Sequence, residues 1–503
     1  MMNRRDLMQW SAATALGLHG LGSAHAQSAA LRPGKPFAGQ TVNVLSVVAP
    51  QFSAHEARLA EFEALTGIVV KYQYVPFANT REKLTAELVA KTDQYDVLSA
   101  MDIWGPSLYN LFEPLNDRLA EKKIDMAARY PRAHLRAARD GLGNGNNYLG
   151  FPIRGHVQLL FYRKDIFSRL GLNPPETWDQ MVEAARTVQS KTDLAGVAMY
   201  YGKTGGQNLM IWMNYLWGMG GDLVDAQGNP VFNSAQGVAA TQAYLDVMLK
   251  HKVAPAASAS FNETDAVNSV AQGKSAMVPV WWWRYAVLTD PKTSTLKPEQ
   301  VGFVPLPSMP GKDNTTYTNT WFYGINRNSK RKDAAMEFLT WLTQPSIERD
   351  LLLDKTKNEV VAVQNANLID AAVNQRFEGM HRAAAQSLKG AHGVPLFAQW
   401  PQFSDLLEAT INELASGQGD VKSALDGAPA DGSDAFALNS ALSTGANVSV
   451  TGTLTASTAE KALTVTAGTG EVTFASALGG GATALTTVSV SADKISALTV
   501  DAS

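Results

Sequence analysis

Four aromatic planes and a cation stand together in the stretch Trp281-Trp282-Trp283-Arg284-Tyr285, behind a short apolar run. A hydroxylated molecule with an apolar C–H face needs flat rings to cover that face and ionic or amide groups to satisfy its hydroxyls; this stretch supplies both. If the stretch is extended, alternate side chains face opposite ways, so Trp281 and Trp283 share a face while Trp282 points elsewhere. At least one of the three indoles then serves as packing.

Other segments imitate chemistry without completing it. Gly196 to Gly202-Lys203-Thr204 separates its glycines by five residues where a phosphate loop has four, and Tyr200-Tyr201 would crowd the cradle. Gly141-Leu142-Gly143-Asn144-Gly145 lacks the last glycine of a dinucleotide turn and reads as a surface loop. No Gly-x-Ser-x-Gly elbow occurs, and His55, His134, His156, His251, His381 and His392 form no zinc-spaced pair. Cysteine is absent, which removes disulfides, thiol nucleophiles and thiolate metal sites. Carboxylates such as Glu263 and Asp265 could serve a glycosidase, which needs two of them about 5 to 10 Å apart. No cofactor and no metal are expected.

The elements that position these residues follow from composition and period. At 503 residues the chain has room for about three domains of roughly 150. Hydrophobic residues at 45% and charged residues at 18% describe a globular chain, and a net charge of -3 offers no excess cation for nucleic acid. From about 37 to 430, β-rich runs alternate with amphipathic helical patterns, predicting an α/β architecture with a largely parallel sheet. Residues 41–48 read as a buried strand, 57–65 as a helix stopped by Thr66-Gly67, 68–72 as the next strand, 81–90 as a helix and 95–99 as a third strand. Asp102 and Trp104 follow that third strand, and in such sheets ligands sit off the carboxyl ends of strands.

Both ends of the sequence differ from this body. Residues 1–26 combine Arg4-Arg5, an apolar stretch and a small-residue exit at Ala24-His25-Ala26, which predicts an export signal cleaved after Ala26, by the Sec or the twin-arginine route. No later stretch is long and apolar enough to span a membrane. Residues 431–503 contain no Trp, Tyr, Arg, Pro, Met or His. Alternation at Val448 and Val450, Leu463 and Val465, Val472 and Phe474, and Val488 and Val490 predicts half-buried strands. Ala-Leu-Thr-Val-x-Ala recurs 35 residues apart, at 462 and 497. In composition the segment resembles the strand repeats of bacterial surface adhesins; a disordered tail or a fusion scar reads equally well, so it stands as a small all-β or disordered segment.

Seven phrases in order carry a more specific resemblance: residues 61–70 (Glu-Phe-Glu-Ala-Leu-Thr-Gly-Ile-Val-Val), Tyr95-Asp96-Val97-Leu98, Gly150-Phe151-Pro152-Ile153-Arg154-Gly155-His156 running on to residues 161–167, Pro174-Pro175-Glu176-Thr177-Trp178-Asp179, Gly273-Lys274-Ser275-Ala276-Met277 before the tryptophans, Gly324-Ile325-Asn326 before residues 335–339, and residues 411–417. Together they resemble the extracellular solute-binding proteins of sugar ABC transporters, the maltose-, trehalose- and sorbitol-type binding proteins. That resemblance implies a two-lobed periplasmic binding protein fold of type II, with a hinge and an interlobe cleft that closes on its ligand. Lobe 1 would be 37–153 with 321–366, and lobe 2 154–320 with 367–430.

The resemblance also implies roles for residues. Trp281 and Trp283, with Arg284, take the position of a sugar-stacking aromatic, and Asp102 that of a hydroxyl acceptor, unless it caps a helix start. Trp104 follows it. Gln51 and Phe52 lie in a ligand-contacting loop or a helix-cap region. Arg154 and His156 stand at the first crossing, where an arginine either grips an acidic ligand together with Arg284 or pairs with a carboxylate across the hinge. Asn208, Trp321 and Phe403 are further ligand contacts by family position. The expected protein is a periplasmic monomer, not an enzyme and not membrane-spanning, that takes a sugar, polyol or sugar acid to ABC permease subunits. Its rivals are an exported carbohydrate hydrolase and a surface-displayed adhesive protein.

Overall fold

The computed structural model describes residues 31–140, 145–225, 229–357, 359–395 and 400–427, together with the backbone of six short strands between 437 and 496. The expected export signal, residues 141–144 of the glycine loop and the sequence repeat at 497 lie outside the described residues. Two compact units emerge, Met1–Gly155 with Thr320–Ala385, and His156–Asn319 with Gln386–Ser503. Among the described residues the body contributes ten strands: β1 (Thr41–Val47), β2 (Val69–Val75), β3 (Val97–Met101), β4 (Phe151–Gly155), β5 (Gln158–Arg163), β6 (Met277–Trp281), β7 (Val301–Pro305), β8 (Thr316–Tyr317), β9 (Thr320–Ile325) and β10 (Ala391–His392).

In the first unit the β-branched run of β1 pairs in parallel with β2 and β3, giving the order β2-β1-β3-β9-β4. Gly67 ends the helix Leu59–Thr66 in the left-handed conformation at φ +73°, donating its N–H to Glu63 O, and a Cβ there would meet Ala38 Cβ at 2.7 Å. Strand β9 runs antiparallel to both neighbours, pairing Met101 with Trp321 and Arg154 with Trp321 across an irregularity in β4. The carboxyl ends of β1, β3 and β4 and the amino end of β9 therefore share one sheet edge. Val42, Val44, Leu45, Val97, Leu98, Ile325 and Phe338 make the core behind it.

The second unit departs from a parallel sheet. Its strands run β6-β5-β7, and both outer strands are antiparallel to β5. Long helical excursions separate these strands in sequence, and a chain that travels so far between pairings can return in either direction. Trp178–Lys191, for example, is a helix started by a reciprocal cap between Thr177 and Gln180. It buries Trp178, Met181, Ala185 and Val188 on one face. The amino end of β5 and the carboxyl end of β6 meet where Gln158 pairs with Trp281.

The six later strands are β11 (Ala437–Asn439), β12 (Val448–Val450), β13 (Lys461–Thr466), β14 (Glu471–Phe474), β15 (Leu485–Ser491) and β16 (Lys494–Ser496). They alternate between two parallel three-stranded sheets, β11-β13-β15 and β12-β14-β16. Partners lie from 23 positions apart, as Glu471 and Lys494 do, to 27, as Ala437 and Thr464 do, all short of the 35-residue sequence echo.

Candidate functional site

The strand-end edge of the first unit gathers aromatics around one carboxylate. Asp102 follows β3 and is buried, and its Oδ1 has no hydrogen-bond partner among the described residues. Burial raises its pKa from 3.8 to about 7, against the nearby Arg136 charge and backbone N–H groups that include that of Thr320. Trp104 follows two residues later, and Trp321 pairs with Met101 just before it. Their rings meet edge-on with centroids 5.2 Å apart, and Phe77 lies 6.0 Å from each. Phe77, at the start of the helix Phe77–Ala90, is 54% exposed, an unusual exposure for a large apolar ring beside buried ones.

A second aromatic face stands at the β5–β6 edge of the other unit. The His156 ring lies 5.4 Å from Trp281 and 6.3 Å from Trp283, and Trp281 lies 5.4 Å from Tyr317. His156 Nδ1 and Asn319 Oδ1 are 2.5 Å apart, and Thr318 Oγ1 donates to the His156 carbonyl at 2.6 Å. Strand β6 stops at Trp281, and Trp282–Arg284 form a tight turn, so strand alternation does not govern the three indoles. Trp282 is fully buried in the core. Arg284 donates from Nε to Glu263 Oε1 at 2.6 Å and lies over the Trp283 ring at 4.3 Å. Its charge already has a counter-ion.

The remaining residues singled out by sequence sit differently. Gln51 is buried; its Oε1 accepts from Val361 N–H at 2.9 Å and its Nε2 donates to Ile153 O and Val361 O. That amide is occupied by the backbone. Phe52 is fully buried and meets Trp321 and Tyr323 edge-on. Arg154 is buried at the end of β4, opposite Trp321. Asn208 is fully buried and ties Tyr201 O to Glu408 O. Phe403 packs against Phe232 and Trp400.

Phe77 and Thr320 belong to the first face, and Tyr317 and Asn319 to the second, without having been singled out. Phe77 follows Pro76 directly after β2, so its place off a strand's carboxyl end is the signal that could have found it. The phosphate-loop mimic is filled from within: Glu408 Oε1 accepts from Thr204 N–H at 2.5 Å and Gly206 N–H at 2.7 Å. Neither carboxylate considered for glycosidase work is idle. Glu263 holds Arg284, and Asp265 Oδ2 accepts from Asn262 N–H at the helix start. Among the described residues no cluster of three metal-capable side chains occurs, and no helix is long and apolar enough to cross a membrane.

Comparison with known proteins gives a consistent set of likenesses. A family described as bacterial extracellular solute-binding protein matches residues 48–348. The chain is 29% identical over 386 residues to the probable amino-acid ABC transporter periplasmic-binding protein y4oP of Sinorhizobium fredii, covering 74% of this chain and 85% of that protein. It is 26% identical over 293 residues to the mannitol-binding protein of Pseudomonas aeruginosa, covering 56% and 63% respectively. Among solved structures, the ABC transporter solute-binding protein of Agrobacterium radiobacter K84 in complex with ribitol superposes with a TM-score of 0.64 at 24% identity, over 78% of this chain and 98% of that one.

Proposed function

The chain belongs to the bacterial extracellular solute-binding proteins and has their two-lobed fold; on that premise we propose that it captures a sugar or polyol in the periplasm for an ABC importer. The observation that carries this reading is the buried Asp102 Oδ1, without a partner among the described residues, on the strand-end edge that also carries the Trp104, Trp321 and Phe77 cluster. A carboxylate oxygen accepts a hydroxyl proton with charge-assisted strength, and the rings beside it suit the C–H face of the same molecule. The relatives named for mannitol and ribitol support a linear polyol. The second unit presents Trp281, Trp283 and His156 as rings of the same kind.

In this reading the protein does no covalent chemistry, works as a monomer and passes its cargo to membrane permease subunits. It reaches the periplasm by its N-terminal signal. The pairing of Arg284 with Glu263 favours a neutral ligand over a sugar acid. The test is thermal unfolding against D-mannitol, ribitol, D-glucose, maltose and D-gluconate. A true ligand at 100 times its dissociation constant adds about 2.7 kcal/mol to stability. Stabilisation by a neutral polyol supports the reading, and stabilisation by none of the panel, or recovery of a cleaved product from maltose, refutes it.

A further inference from the structure

Glu263 opens the helix Glu263–Ala271 and is 4% exposed. Its backbone N–H donates to Gln207 Oε1 at 2.9 Å, which fixes the helix start. Arg284 donates from Nε to the Glu263 carboxylate at 2.6 Å and from Nη2 to Thr264 Oγ1 at 3.2 Å, so two consecutive residues grip one guanidinium. That guanidinium lies over the Trp283 ring, 4.3 Å from its centroid. The Trp281 side chain stands near enough to the same carboxylate to offset part of the upward pKa shift that burial imposes on it.

We propose that Glu263 is a positioning residue: its carboxylate holds Arg284 against one face of Trp283 and restrains Trp281, so that both indoles are set before a ligand arrives. An unrestrained arginine rotates about several bonds and would stack only part of the time, whereas a buried, hydrogen-bonded carboxylate gives it one seat. A pre-set ring loses less freedom on binding, which raises affinity without adding a contact. This rests on Trp281 and Trp283 being ligand-stacking residues.

The test uses full-length protein, Glu263→Gln and the double variant Glu263→Gln with Arg284→Met, which removes both charges should the single variant leave Arg284 uncompensated and unfold. Indole N–H resonances are recorded without ligand and assigned by loss in Trp281→Phe and Trp283→Phe. Expected is a shift of both indole signals in each Glu263 variant, with D-mannitol affinity about tenfold weaker. Unmoved Trp281 and Trp283 signals in a folded Glu263 variant overturn the proposal. Moved signals in a protein that binds none of the polyol panel leave the positioning role standing and remove the proposed ligand class instead. Mannitol affinity unchanged despite moved signals overturns the claim that the pre-set rings serve binding.

Discussion

Trp104 and Trp321 meet edge to face, at 89° and 5.2 Å, where the end of β3 pairs with the start of β9. The two residues are far apart in sequence, and only the antiparallel insertion of β9 beside β3 brings their rings together. Their contact fixes the wall beside Asp102.

Removing a ring from this wall should therefore cost both stability and binding. Trp321→Ala, at a site 4% exposed, is expected to lose about 3 to 5 kcal/mol of unfolding free energy. Trp321→Phe keeps a ring and is expected to fold while weakening polyol binding. Urea unfolding and ligand titration separate the two effects; an alanine variant as stable as wild type would contradict the packing.

Asp102 makes stability depend on pH. Burial holds its folded pKa at about 7 against 3.8 for an exposed carboxyl. Between those values the folded chain keeps a proton that the unfolded chain has released, so stability falls as pH rises from about 4 to 7, by roughly 1.4 kcal/mol per pH unit at most. Glu348, also raised to about 7 by burial, adds a slope of the same sign. Asp102→Asn is expected to flatten its share while Glu348→Gln flattens the other, read from unfolding midpoints across that range.

The same carboxylate makes capture depend on pH in the opposite sense. A ligand hydroxyl that donates to Oδ1 favours the charged form, so D-mannitol affinity is expected to rise from pH 6 to pH 8 with release of a proton. Calorimetry in two buffers of different ionisation enthalpy measures that release. Equal affinity at both pH values, or the same rise in Asp102→Asn, would remove Asp102 from the site.

Two local devices give cleaner numbers. Thr177→Ala breaks the reciprocal cap of the helix Trp178–Lys191 and is expected to cost about 1 kcal/mol. Gly67→Ala places a Cβ 2.7 Å from Ala38 Cβ at φ +73°, and a loss of about 1 to 3 kcal/mol should follow. Denaturant unfolding of each variant checks both, and no change in either case would mean that the local geometry is wrong.

Much of the first unit is legible in the chain. The β-branched run at 41–48 and the glycine stop at 67 announce β1 and the end of the following helix, and Asp102 and Trp104 follow their strand as α/β grammar requires. The antiparallel sheet of the second unit is not legible, because strand patterning carries no direction. The resemblance offers Gln51 and Asn208 as ligand contacts, yet their partners Val361 and Glu408 lie hundreds of residues away, and only the folded chain shows the Gln51 amide and the Asn208 Nδ2 already engaged. Trp282 separates from its neighbours as alternation suggests, but the cause is a turn that begins after Trp281.

Glu408 sits where the amides of Thr204 and Gly206 converge. Converging amides attract oxyanions, and here the seat is taken by the protein's own side chain. A free oxyanion would have to displace this tethered carboxylate before lodging there. The loop thus carries a built-in stopper, and its resemblance to a nucleotide cradle is kept harmless by an internal tenant.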